Sequence, residues 1–139
     1  MIITDRWRIL LAEDNPADAW LIQEALRRRS LTCDLDHYLT AEDAIRAVAA
    51  EGANGKPVPD LILLDFNLPG GQGLEVLAAA TKNSRLGGVP KALVSSSLLP
   101  NEMSRAKQLG VTCFIGKPSN LKEFLEEVGS KIAGLLKVA

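Results

Sequence analysis

A charge of one sign and a long apolar run are both missing from these 139 residues. The formal net charge is only −1, so no global basic field is present to gather nucleic acid or an acidic membrane. No apolar run approaches the length of a membrane span. The opening Met1-Ile2-Ile3-Thr4-Asp5-Arg6 lacks the basic-then-apolar pattern of a signal peptide, and the expectation is a soluble, cytoplasmic protein. Cysteine is scarce. Cys33 and Cys113 sit in apolar, strand-like segments without metal-ligand spacing, which predicts reduced core residues. There is no internal repeat of the kind that builds solenoids, and no glycine-rich phosphate loop follows the first strand-like segment. The one local basic run, Arg27-Arg28-Arg29, closes a helical segment and reads as a solvated last turn favoured by the helix dipole.

What is present is an ordinary apolar content of 47%, enough in a chain of this length for one domain, 1–139, with its own core and no output domain. Apolar segments alternate with helical ones five times. Trp7 to Ala12 predicts a first strand ending at Glu13-Asp14, and Asn15-Pro16 supplies a cap and first-turn proline for a helix with Leu21, Ile22, Ala25 and Leu26 inward. Leu31 to Tyr38 predicts strand two. Thr40 and Asp43 open helix two in a partial capping-box pattern, and Gly52 to Pro59 is a connection. Leu61 to Leu64, apolar without a break, predicts a strand buried on both faces and ending at Asp65. Helix three runs from about Gln72 to Lys82. Ala92-Leu93-Val94 precedes three serines, and Pro100-Asn101-Glu102 starts a helix that stops at Gly110. Val111 to Ile115 predicts strand five, before Gly116-Lys117-Pro118. The last helix, from about Asn120, places Leu121, Phe124, Val128, Ile132 and Leu135 on one face, with Gly129 and Gly134 weakening it. Trp20 falls between the core positions of helix one; packing at the core edge is the expectation, and an anchor for a partner helix is the alternative.

Regular strand–helix alternation implies a parallel sheet with right-handed crossovers and helices on both faces. Five such units match the doubly wound α/β order 2-1-3-4-5 of flavodoxin/CheY-like (βα)5 folds. That order brings four strand ends together: Glu13-Asp14, Asp65, Ser95 and Lys117. Carboxylates gathered at one sheet edge repel unless a cation compensates. A hard divalent ion such as Mg2+ (or Mn2+), with its preference for oxygen, is the natural compensator. Lys117 adds a point charge for a carboxylate or phosphate oxygen, and Ser95 adds a hydroxyl. Such a site positions and neutralises a phosphoryl group in transfer.

On these residues the chain resembles the receiver domain of two-component response regulators over essentially its whole length. Glu13-Asp14-Asn15 matches the family's first-strand motif. Asp65-Phe66-Asn67-Leu68-Pro69 with Gly73 matches the segment around its phosphorylated aspartate. Ser95 falls at the switch Ser or Thr, and Lys117-Pro118 at the Lys-Pro signature. The resemblance implies that Asp65 accepts a phosphoryl group from the phosphohistidine of a histidine kinase or phosphotransfer protein. It implies Mg2+ binding through Asp14, Asp65 and the backbone carbonyl of Asn67, with Glu13 acting through a water. It also implies that Lys117 pairs with Asp65 and then the phosphate, and that Ser95 and Phe114 move together as a two-state switch.

Departures from the pattern are local. Ser96 stands where Ala is common, Phe114 where Tyr is frequent, and Gly70-Gly71-Gln72 replaces a loop ending in Asp-Gly, which implies changed loop mobility with the chemistry retained. Asp14-Asn15-Pro16-Ala17-Asp18 and Lys117-Pro118-Ser119-Asn120-Leu121 are similar to stand-alone regulators served by phytochrome-type histidine kinases. The implied protein is a signalling module and not a conventional turnover enzyme, with an unidentified downstream protein and a possible homodimer. Two other readings stay open: an interaction-only pseudo-receiver, and an aspartyl-phosphate phosphohydrolase, although Asn67 stands where such enzymes often carry a second acid.

Overall fold

In the computed structural model, residues 6–69 and 73–136 are described. The expectations placed on Met1 to Asp5, on the Gly70-Gly71-Gln72 loop and on a helix start at Gln72 lie outside them. The five strands are β1 (Arg6–Ala12), β2 (Thr32–Tyr38), β3 (Leu61–Asp65), β4 (Lys91–Ser95) and β5 (Cys113–Gly116). All pair in parallel, in the expected order β2-β1-β3-β4-β5. Helices α1 (Pro16–Arg28), α2 (Ala41–Ala50), α3 (Gly73–Lys82) and α4 (Pro100–Gln108) follow the first four strands. The fifth, α5, is continuous through Leu121–Glu123, a π-helical stretch Phe124–Val128, and Gly129–Leu135. No helix among the described residues is long and apolar enough to cross a membrane.

The period-two alternation of the strands divides the core into two layers. Leu10, Ala12, Ile62, Leu64 and Leu93 face α2, α3 and α4, meeting Ala44, Val48, Val76, Leu77, Ala80 and Ala106. Ile9, Leu11, Leu61, Leu63, Ala92, Val94 and Ile115 face α1 and α5, meeting Ile22, Leu26, Phe124, Val128 and Ile132. Every residue of β3 is buried, which is why it reads as an unbroken apolar run and not an alternating one.

Several sequence expectations need correction. β5 begins at Cys113, not Val111. On α1 the buried residues are Ala19, Ile22, Ala25 and Leu26, with Leu21 only half-buried. Trp20 is not at a core edge: it is 59% exposed, because a helix buries one stripe and Trp20 lies beside it. On α5, Leu121 is exposed, and Leu136 closes the face in place of half-buried Leu135. The π-helical stretch adds a residue to the helical register, so Leu121, before it, falls off the stripe that Val128, Ile132 and Leu136 continue at a spacing of four. Gly129, expected only to weaken the helix, marks a close approach. A Cβ there would lie 3.2 Å from the Ala25 carbonyl oxygen and 3.1 Å from Arg29 Cδ, so its absence lets α5 settle on α1.

At the amino end of the sheet, away from the predicted site, Lys91 is buried and its Nζ donates to the Leu86 and Val89 carbonyls at 2.8 and 3.0 Å. Burial lowers its pKa. Arg8 clamps Asp36 and Glu51, and Asn83 and Arg85 bond the carbonyls ending α2. The Gly52 to Pro59 connection is thereby held against the domain. Cys33 and Cys113 carry free, half-buried thiols on opposite edge strands. Four strand spacings of about 4.8 Å separate those strands, far beyond the reach of a disulfide.

Candidate phosphoacceptor site

The sheet's hydrogen bonding continues past the strand ends and carries the site residues with it. Glu13 N donates to the Tyr38 carbonyl at 3.0 Å, Phe66 N to Val94, and Lys117 N to Ser95 at 2.8 Å. Ala12 pairs with Leu64, Asp65 with Val94, and Ser95 with Gly116. In the last of these pairs (Asp65, Ser95) or one residue past them (Glu13, Lys117), the four site residues converge at the carboxyl edge, as the strand order requires. Leu68, 1% exposed, pins the turn that follows Asp65; burying such a side chain stabilises by about 2 kcal/mol. Gly73 completes that turn, since a Cβ there would fall 2.5 Å from the Asp65 carbonyl oxygen and 2.7 Å from Phe66 Cα.

Lys117 is the hub. Its Nζ donates to Glu13 Oε1 at 2.7 Å and to Asp18 Oδ2 at 2.9 Å, and more weakly to Asp65 Oδ2 at 3.4 Å. Asp65 Oδ1 accepts from Asn67 N at 3.0 Å. Burial pushes the Glu13 carboxyl up to about 9, reinforced by adjacent Asp65 and opposed by Lys117. Burial also works against the Asp65 carboxylate, but the hydrogen bonds from Glu13 and Asn67 and the Lys117 charge outweigh it, and its pKa is lowered. Between these two acids a proton is favoured on Glu13 over Asp65. Lys117 is held above the usual lysine range: its burial is more than offset by Glu13 and Asp18.

Carboxylate oxygens of Glu13, Asp14 and Asp65 lie within 4.8 Å of one another. With the carboxyl ionised, Glu13 Oε2 is buried with no hydrogen-bond partner, an expensive state for a carboxylate oxygen. Oxygen-only donors, an excess of acid over the one neighbouring ammonium, and an orphaned buried oxygen together fit a hard divalent cation.

Ser95, 2% exposed, donates its Oγ–H to the Ser97 carbonyl at 2.7 Å and accepts from Ser97 N at 3.2 Å and Asn67 Nδ2 at 3.4 Å. Strand parity puts Ser95 and Phe114 on the α3/α4 face, where half-buried Phe114 packs against that core and pairs in register with Leu93. Lys117 instead follows the parity of Ile115, on the α1/α5 face. Of the sequence-predicted residues, Glu13, Asp65 and Lys117 are brought into direct contact. Asp14 joins them from the exposed rim, Asn67 touches both Asp65 and Ser95, and Phe114 stands apart in the core.

Two contacts were not anticipated. Asp18, the third residue of α1, reaches Lys117 across 99 positions. His37 Nε2 lies 2.7 Å from the Glu13 carbonyl oxygen and ties β2 to the site. An acid in the first helical turn has a ready explanation in the helix dipole, and that masks its second use. The usable signal was its position at the mouth of α1, which opens directly beside Asp14.

A family model for the response regulator receiver domain matches residues 9–129. Response regulator Rcp1 of Synechocystis sp. is 37% identical over 125 residues, covering 86% of this chain and 82% of Rcp1. Among solved structures, the phosphorylated cyanobacterial phytochrome response regulator RcpA superimposes with a TM-score of 0.84 at 34% identity, over 97% of both chains. The Mn2+-bound form of response regulator Rcp1 does so with a TM-score of 0.82 at 31% identity, over 96% of both chains. With its strand ends, acid cluster and lysine arranged as described, the chain belongs to the response regulator receiver domain family.

Proposed function

We propose that this chain is a phosphoacceptor response regulator in which Asp65 accepts a phosphoryl group from the phosphohistidine of a histidine kinase or phosphotransfer protein in the cytoplasm. The observation that carries the reading is a buried Asp65 at the carboxyl edge of the sheet, 3.4 Å from the buried Lys117 ammonium and clustered with the carboxyl oxygens of Glu13 and Asp14. Asp65 Oδ attacks phosphorus, the P–N bond breaks, and its electron pair stays on the donor nitrogen, which takes a proton. An acyl phosphate forms. Glu13, Asp14, Asp65 and the Asn67 carbonyl would hold Mg2+, which supplies neutralisation of charge on the phosphoryl oxygens. Lys117 pairs with a phosphoryl oxygen once Asp65 is esterified. Ser95 then exchanges its Ser97 bonds for the phosphoryl group, and Phe114, on the same face of the neighbouring strand, follows it; the signal leaves by protein contact.

A protein partner is supported by the surface around the site. Among the described residues, the exposed large apolar side chains are Trp20, Leu39, Leu99 and Leu121. The first two turns of α1, the β2–α2 and β4–α4 loops and the start of α5 carry them, all at the carboxyl end of the sheet. A phytochrome-type kinase is the partner class favoured by the likeness to Rcp1 and RcpA.

Intact-mass measurement after incubation with phosphoramidate tests the proposal. The expected result is one phosphoryl adduct, dependent on Mg2+ and lost in Asp65→Asn. An adduct that persists in Asp65→Asn overturns the assignment. No adduct on a folded, cation-binding chain points to an interaction-only receiver, and multiple turnover of simple phosphomonoesters points to a phosphohydrolase.

A further inference from the structure

The ammonium of Lys117 has three N–H donors and three carboxyl groups around it. Two of its bonds, to Glu13 at 2.7 Å and Asp18 at 2.9 Å, have the length of full charge-assisted hydrogen bonds, whereas the one to Asp65 is stretched to 3.4 Å. Lys117 is nearly enclosed, at 10% side-chain exposure, and Asp18 is only 26% exposed, so solvent does not dissolve their pairing. Asp18 belongs to α1 and is not among the acids clustered for a cation. It stands on a different element from Asp65 and pulls the same ammonium.

We infer that Asp18 is a positioning residue that restrains Lys117 and acts as a brake on phosphorylation of Asp65. The inference rests on the phosphoacceptor reading above. In the resting chain Asp18 takes one of the two strong bonds of the ammonium and keeps it off Asp65. An incoming phosphoryl group must win Lys117 from Asp18, and the Asp18 charge also repels the phosphoryl oxygens. Removing the charge at residue 18 releases one of the two strong bonds of Lys117 while the Glu13 bond stays, so that donor can meet the phosphoryl group as it transfers.

The test is the phosphorylation rate with phosphoramidate, a donor that needs no protein docking, at saturating Mg2+. Asp18→Asn keeps the side-chain size and removes the charge. The expected rise is about three- to tenfold, the size that losing one partly exposed charge-assisted bond supports, and Asp18→Ala shows the same direction. The double variants Asp18→Asn/Lys117→Gln and Asp18→Ala/Lys117→Gln are compared with Lys117→Gln alone. If Asp18 acts through Lys117, no acceleration remains in that background, whatever residual rate it has. A purely structural role for Asp18 predicts the same effect with or without the lysine. An unchanged or slower rate in both single variants overturns the brake, as does acceleration that persists without Lys117. Failure of the unsubstituted chain to form any adduct overturns the phosphoacceptor reading and this inference together, whereas an adduct at equal rates overturns the inference alone.

Discussion

Burial removes solvent from Glu13 yet leaves it beside Asp65 and 2.7 Å from Lys117. Its pKa of about 9, against an ordinary 4.5, means that the folded, cation-free chain holds a proton that the unfolded chain releases. The stabilisation from that proton is complete below about pH 4.5 and is lost as pH rises through about 9. Asp65 works in the opposite sense and in another window: its lowered pKa gives stability above its ordinary 3.8 that is lost as pH falls. Of these two acids, Glu13 is therefore the one that acts between pH 7 and about 9. Calorimetry in chelator should show the unfolding midpoint falling over that range, with the fall reduced in Glu13→Gln, which has no proton to lose. Added Mg2+ displaces the same proton, so its apparent affinity rises with pH, by at most about tenfold per unit below 9. A midpoint with the same pH slope in Glu13→Gln would refute this account. The identities of Glu13, Asp65 and Lys117 were legible from the residue pattern. The placing of the proton was not, because it depends on how deeply each carboxyl is buried and on which oxygens meet.

At the scale of elements, the strands were easier to read than the helix faces. The unbroken Leu61 to Leu64 run can be satisfied only by a strand covered on both sides, and that single fact locates Asp65 at the carboxyl edge. The π-helical stretch of α5 left no comparable mark: Phe124 and Leu125 are adjacent and both apolar, so the pattern fits either register, and both are buried together with Val128. Glycines divide in the same way. Gly73 was visible as a motif, but its necessity comes from the chain's return past Asp65, where a Cβ would meet backbone at 2.5 Å. Backbone cannot rotate away as a side chain can, so Gly73→Ala is expected to cost about 1–3 kcal/mol. Urea unfolding measures that loss. Because the displaced atoms include the Asp65 carbonyl and Phe66, phosphoramidate labelling should slow as well. Wild-type stability in Gly73→Ala would mean that the turn relaxes more cheaply than this geometry allows.

At the scale of the whole molecule, the two ends of the sheet do different work. The amino end is closed by Lys91 donating to the Leu86 and Val89 carbonyls and by the Arg8 clamp on Asp36 and Glu51. The carboxyl end leaves one buried acid oxygen, Glu13 Oε2, without a partner among the described residues and large apolar side chains in solvent. Trp20 shows why a pattern of core positions was insufficient to place them. Its neighbours Ala19 and Ile22 are buried, and a tryptophan beside that stripe could have folded over the core edge; instead it stands beside a groove shaped by Gln23, Glu24, Arg27 and Leu31. Aromatic side chains in such positions dominate protein interfaces because they bury much area for little entropy. If the phosphoryl donor is a protein that docks on α1, Trp20→Ala should slow transfer from a phosphorylated kinase by about tenfold or more, the range of an interface hot spot. Labelling by phosphoramidate should stay unchanged, because Trp20 lines a different groove from the one that Asp18 and Lys117 line. Measuring both donors on the same variant separates docking from chemistry. An equal loss with both would place Trp20 in the support of the site, and no loss with either would remove the exposed face of α1 from the docking surface.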